Sequence, residues 1–219
     1  MHLLIQLLRP VYYLLYHQFA WTYDLVATIV SLGHWQDWVQ AVLPFLNERV
    51  LELGFGPGHL QLSLGKNEFH PFGLDQSHYM ARQASLRLLK QGVNSRIVSG
   101  YAQNMPFLHG IFNTVVATFP SEYILDPRTL QEIFRVLASN GKLVILPMAW
   151  ITGRRLHERL AAWLFRLSGE IPGKAGRVSV ALRKQLTYLG FKVSSQIMEV
   201  KASQVLILVA EKEQAPDLE

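Results

Sequence analysis

Residues 50–60 read VLELGFGPGHL: an apolar run carrying one acid, Glu52, opens directly into three glycines, Gly54, Gly56 and Gly58. Glycine enters positive φ without steric cost and lets the main chain approach a ligand closely. Placed behind a strand-like run, it predicts a tight turn into a helix. The N–H groups and positive dipole end of that helix would face an anionic group. In an open parallel sheet this turn is the usual ligand cradle. The spacing discriminates between ligands. A dinucleotide site repeats glycine as G-x-G-x-x-G, and counted from Gly54 the third falls on His59; a phosphate loop ends in Gly-Lys-Ser/Thr, which does not follow.

From Arg49 onward, short β-branched runs alternate with longer helical patterns. Strands are predicted at 49–53, 70–74, 95–99, 114–118 and 142–147, with a last pair near 191–200 and 204–210. The short connection KAS makes that pair a hairpin, an antiparallel edge on a parallel sheet. Helices are predicted at 78–91 and 128–137, the second stopped by SNGK with Asn140-Gly141 supplying the turn. Strand and helix alternating in this way predict an α/β fold, Rossmann-like and doubly wound, with a mostly parallel seven-stranded sheet and added N-terminal helices. Residues 1–47 read as a helical cap or lid and 48–219 as the ligand-binding domain, with an insertion at about 149–178.

Composition bounds the chemistry. The chain has 219 residues, half of them hydrophobic, enough for one sizeable core. With no cysteine, disulfides, thiolate metal sites and a cysteine nucleophile are excluded, which fits a reducing cytoplasm. The eight histidines show no H-x-x-x-H or clustered carboxylate spacing, so no metal is expected. The net charge of +5 is concentrated in 151–192, where nine Lys/Arg face only Glu158 and Glu170 and are interleaved with Trp163, Leu164 and Phe165. Two readings stand: contact with an anionic membrane surface or acidic partner, and a solvated helix face. The first 26 residues carry no acid before Asp24. Arg9-Pro10 interrupts them, and they suit neither a signal peptide nor a membrane span. Leucines at helical spacing predict amphipathic helices, placed over a pocket, on a membrane or on the core.

VLELGFGPGHL resembles the first motif of the class I S-adenosyl-L-methionine (SAM)-dependent methyltransferases, an acid, any residue, then G-x-G-x-G. Four further segments resemble that family in order. PFGLDQSHYMARQA resembles the end of its second strand, and the resemblance implies that Asp75, with Gln76 beside it, grips the ribose hydroxyls; a carboxylate can accept from both. The other reading is an aspartate capping the next helix. VSGYAQNMPF resembles the segment after the third strand, but Tyr101 stands where the family has an aspartate for the adenine amino group. Gln103 as acceptor and Tyr101 as a stacking ring are both open replacements, with Ala102 between them. IFNTVVATFPSEYI resembles the fourth strand, ending at Thr118, with Asn113 in place of an acid. IFRVLASNGKLVILP resembles the following helix, turn and fifth strand. The resemblance covers roughly residues 48–147 and is nearest to the ubiquinone and menaquinone C-methyltransferases. In that subgroup a Tyr-Asp pair helps close the SAM pocket, which singles out Tyr23 of Tyr23-Asp24 against the reading of a core aromatic.

The resemblance implies methyl transfer from the SAM sulfonium, with S-adenosylhomocysteine (SAH) as product. For such a donor the protein chiefly aligns reactants and excludes water, a contribution of up to about 7–11 kcal/mol. A base is needed only where the acceptor loses a proton; Glu122 and His59 are candidates, and no catalytic residue is assigned. TFPSEY is not the N-P-P-Y type of motif, so nucleic acid is not the expected substrate. Phe119, Tyr123, Trp150 and Trp21 are the expected acceptor lining, beside Tyr23, Trp163 and Phe165. The expected activity is methylation of a small apolar or lipid-like acceptor of the quinone or lipid class. It would take place in the cytoplasm, at the inner face of a membrane. A non-catalytic SAM-binding sensor is the alternative, and His59 disfavours a nicotinamide oxidoreductase.

Overall fold

The computed structural model describes residues 31, 33–67, 69–94, 96–152 and 172–213. Strands lie at Arg49–Leu53 (β1), His70–Asp75 (β2), Arg96–Ser99 (β3), Phe112–Thr118 (β4), Leu137–Ile151 (β5), Phe191–Val200 (β6) and Ser203–Lys212 (β7). Helices lie at Trp35–Gln40 (α1), His59–Lys66 (α2), His78–Lys90 (α3), Pro127–Val136 (α4) and Pro172–Tyr188 (α5), with 3-10 turns at Leu43–Phe45 and Glu122–Leu125. The strands form one sheet of order β3-β2-β1-β4-β5-β7-β6, parallel except where β7 runs antiparallel to β5 and β6. This is the expected doubly wound sheet with an antiparallel edge.

The period of two along the strands divides the core. Leu51, Leu53, Val115, Ala117, Leu143 and Ile145 face Leu130 and Ile133 of α4 and Leu182 and Leu186 of α5. Val50, Val116, Val144 and Leu146 face Trp38 and Val39 of α1 and Leu60 and Leu64 of α2. Strands buried on both faces read as continuous apolar runs, as the sequence shows. Helix starts are chemically marked: Ser77 accepts from Met80 N–H at 3.3 Å, and Asp126 accepts from Arg128 N–H at 3.0 Å with Pro127 at the first helical position.

Several boundaries differ from expectation, most by one or two residues. β4 starts at Phe112 rather than 114. β5 is far longer than 142–147, because β7 pairs with it from Lys142 to Ile151, skipping register around Pro147, which has no N–H to give. The expected SNGK turn becomes a wide bulge in this strand: Leu137 pairs with Phe112, and pairing resumes between Lys142 and Thr114. Within it Asn140, not Gly141, takes positive φ (61°), while a Cβ on Gly141 would stand 2.9 Å from the Ala138 carbonyl. Part of the expected insertion is regular, since β5 reaches Ile151 and α5 starts at Pro172. Trp21, Tyr23, Trp163 and Phe165 lie outside the described residues.

The β6–β7 hairpin turns through Lys201 and Ala202, with Lys201 at φ 53°. Lys201 Nζ reaches Asp37 of α1 at 2.8 Å. The hairpin tip thereby holds α1 at the carboxyl end of the sheet. Among the described residues no helix is long and apolar enough to cross a membrane.

Candidate functional site: the glycine turn and an aromatic wall

At the carboxyl end of β1 the chain turns through Gly54 (φ 68°), Gly56 (φ 51°) and Gly58 (φ 83°), all left-handed. Each glycine is required for a different reason. A Cβ on Gly54 would lie 3.0 Å from the Tyr123 hydroxyl, and one on Gly58 would lie 2.8 Å from Ala84 Cβ, where α2 and α3 meet. A Cβ on Gly56 would meet nothing within 4 Å. Gly56 is therefore the position at which bare backbone borders open space. The turn is pinned by Gly54 N–H to Leu74 O (2.7 Å), Gly58 N–H to Phe55 O (3.0 Å) and the Arg87 guanidinium to Pro57 O.

Two acids stand behind the turn. Asp75, at the tip of β2, is buried; its Oδ2 accepts from Gly56 N–H at 2.9 Å and its Oδ1 from Ser77 N–H at 2.8 Å. Asp75 thus sits under the cradle, and the capping of α3 falls to Ser77 itself. Glu52 is also buried and accepts from Gln61 Nε2 at 2.8 Å. Burial pushes its carboxyl up to about 8, the Gln61 hydrogen bond opposing and the Asp75 charge adding to the rise. Near neutral pH Glu52 is therefore predominantly protonated.

A cavity of about 100 Å³ opens beside the turn. Glu52, Gly54, Gly56 and His59 border it on one side, Thr118, Phe119 and Tyr123 on another, and Trp35 and Val39 of α1 on a third. Tyr123 is held by its hydroxyl, which donates to Leu53 O at 3.1 Å. Phe119 stacks on Trp35 with ring centroids 4.4 Å apart and planes 26° from parallel. Glu122 is exposed at the start of its 3-10 turn and does not border the cavity.

The remaining candidates lie elsewhere. Gln76 is exposed, Tyr101 is 66% exposed, and Ala102 packs on the core. Gln103 donates to Asp126 Oδ2 at 3.2 Å. None of these four borders the cavity. Trp150 stands apart from it too: its indole N–H donates to Gln204 at 3.1 Å, across the β5–β7 ladder. The loop carrying residues 101–107 is clamped from α4. Arg135 donates to Phe107 O (2.8 Å) and Met105 O (3.1 Å), and Glu132 accepts from Met105 N–H (2.7 Å) and pairs with Arg135 at 2.6 Å. That guanidinium holds the Glu132 carboxyl below its ordinary range.

Sequence reasoning passed over Trp35, Val39, Gln61 and the Glu132–Arg135 clamp. The signals were present: Trp35, Trp38, Val39 and Val42 recur at helical spacing, and Glu132 and Arg135 are three apart on one helix face. Among the described residues no group of histidines and acids is gathered for a metal.

Residues 50–141 match the methyltransferase domain family. The ubiquinone/menaquinone biosynthesis C-methyltransferase UbiE of Blochmanniella floridana is 28% identical over 184 residues, covering 80% of this chain and 71% of that protein. The demethylmenaquinone methyltransferase of Thermotoga maritima is 34% identical over 141 residues, 61% of this chain and 60% of that protein. That of Clavibacter sepedonicus is 31% identical over 128 residues, and the match spans only 52% of it. In fold, a Methanococcus maripaludis protein assigned as a SAM-dependent methyltransferase superimposes with TM-score 0.63 at 18% identity, covering 91% of this chain and 94% of that one. The phosphoethanolamine N-methyltransferase 2 of Haemonchus contortus, in complex with phosphomonomethylethanolamine and SAH, gives TM-score 0.58 at 16% identity, covering 83% and 53%.

Proposed function

We propose that this chain, whose residues 50–141 match the methyltransferase domain family, is a class I SAM-dependent methyltransferase and that the cavity beside Gly56 takes SAM. We further propose that the protein passes its methyl group to a small apolar acceptor of the quinone class. The observation that carries this reading is the cavity itself, which joins a bare-backbone turn on one side to an aromatic wall on the other. The residues present fit the cofactor. The left-handed turn leaves open space over Gly56, and Asp75 fixes the Gly56 N–H from behind. Glu52 stands at the same cavity as a group able to ionise against a cation.

When bound, SAM supplies a methyl on a sulfonium; its transfer leaves a neutral thioether, and a carbon acceptor releases one proton. The chain contributes position and dryness. Gly54 and Gly56 bring main chain to the ligand, Tyr123 ties the acceptor side to β1, and Phe119, Trp35 and Val39 exclude water. The quinone class is supported by the names of the relatives, a ubiquinone/menaquinone biosynthesis C-methyltransferase and a demethylmenaquinone methyltransferase.

The proposal extends to residues 1–47 as a cap over the site, and to the basic stretch 151–192 as the contact with an anionic membrane surface on the cytoplasmic side. Liposome flotation at low and high salt tests that contact; binding to anionic vesicles is expected at low salt, and none in either condition overturns it. For the activity, calorimetry with SAH and NAD is expected to show binding of SAH alone. Mass spectrometry is expected to show a single added methyl on a quinol acceptor in the presence of SAM. SAH binding without transfer to any quinol would point instead to a sensor.

A further inference from the structure

Phe119 is a bulky residue in a backbone conformation that bulky residues avoid. It sits one residue past β4 with φ 47°, where its Cβ is crowded and where glycine or asparagine would be relaxed. The sheet enforces this conformation: Thr118 pairs with Leu146, and Phe119 N–H donates to Leu146 O at 2.7 Å. Strain of this kind persists where surrounding structure over-determines it, and it points to a use for the side chain.

The surroundings indicate the use. The Phe119 ring lies against Trp35 at 4.4 Å, near-parallel, and is tilted against Trp38 at 6.2 Å. Trp35 stands at the start of a fixed helix: its backbone N–H donates to Ser31 Oγ at 3.0 Å, and Asp37 of α1 pairs with Lys201 of the hairpin. Both rings are only partly buried, and both border the cavity. A flexible aliphatic chain would be served as well by leucines. Two fixed flat rings, one held in a strained conformation, suit a flat ligand that can extend the stack.

We infer that Trp35 and Phe119 are specificity-determining residues that recognise a planar aromatic acceptor. The inference rests on the methyltransferase reading above and adds which residues choose the acceptor.

The test uses the full chain, with SAH followed by calorimetry and oxidised naphthoquinone followed by quenching of tryptophan fluorescence. Wild type is expected to bind both, and a straight-chain alcohol of similar size is expected to compete at least tenfold more weakly than the quinone. F119L and W35L are expected to bind naphthoquinone at least tenfold more weakly and to lose far less affinity for SAH, with F119W restoring most of the quinone loss. In turnover with the quinol, the same variants should raise acceptor KM far more than they lower kcat. If wild type binds SAH but not naphthoquinone, or is competed equally by the alcohol, the inference is overturned while the methyltransferase reading stands. It is also overturned if F119L keeps its quinone affinity, or loses SAH and quinone together. Failure of wild type to bind SAH removes both. Because the competition with the alcohol needs no variant, the inference stays testable even if F119L does not fold.

Discussion

The Tyr123 hydroxyl sits on the bare α-carbon of Gly54: it donates to the neighbouring Leu53 carbonyl, and a Cβ on Gly54 would stand 3.0 Å from its oxygen. The Tyr123 side of the cavity and the glycine turn are therefore packed as one unit. G54A would have to hold an alanine at φ 68° and displace the phenol. The expected cost is about 1–3 kcal/mol in urea unfolding, with SAH affinity falling alongside. An unchanged unfolding midpoint would show that Tyr123 moves aside at no cost.

Gly56 and Gly58 should separate binding from stability. At Gly58 an added methyl meets Ala84 Cβ at 2.8 Å and Cα at 3.1 Å, so G58A must push α2 from α3 and lose about 2–3 kcal/mol. At Gly56 the space is open, and G56A should lose only about 1 kcal/mol, from its backbone angle. Its affinity for SAH should nonetheless fall tenfold or more if, as proposed, the ligand occupies that space. Thermal unfolding and calorimetry on both variants check the contrast; equal binding losses would contradict it.

Glu52 gives the protein a pH signature. Its carboxyl rises from an ordinary 4.5 to about 8, chiefly through burial. Between those values the folded chain holds a proton that the unfolded chain has released, so stability from this group is full below about 4.5 and declines as pH climbs towards 8. E52Q removes the titration, and its unfolding free energy should be flatter than wild type across that window. A cationic ligand favours the ionised acid, so wild-type affinity for SAM should rise over the same range, and that of E52Q should not. Parallel profiles for the two proteins would rule this out.

The Glu132–Arg135 clamp should be a local fastener. R135A leaves the Met105 and Phe107 carbonyls without their donor, and about 1–2 kcal/mol of stability should go with it. Hydrogen exchange should quicken at Met105 N–H, whose acceptor Glu132 loses its partner. Exchange within β1 and β4 should quicken only as far as the lost global stability allows, and by less than at Met105 N–H.

What the sequence revealed divides along local and distant causes. The order of β1 to β4, and the need for glycine after Leu53, are written in adjacent residues, because period and φ are local properties. The full length of β5 was hidden, since Met148 to Ile151 are strand only by virtue of β7. Asn140-Gly141 showed a turn but not that one residue supplies the angle and the other the room. Trp150 reads the same in sequence whether it meets a ligand or Gln204. Trp35 was passed over for the complementary reason: its place at the cavity depends on tertiary contacts such as the packing of α1 on the core, the Lys201–Asp37 pair and the Phe119 stack.

The skipped register at Pro147 divides β5 into two working lengths. Leu143 to Leu146 lie beside β4 and end at the Phe119 contact. Met148 to Ile151 pair only with β7 and lead, through Thr152 N–H on Ala202 O at 2.8 Å, to the hairpin tip that carries α1. The glycine turn and the Trp35 side of the wall thus hang from separate halves of one sheet. On the proposed function, substitutions in α1 and the hairpin tip would retune which acceptor is admitted while leaving the glycine turn intact, a modular route to new substrates.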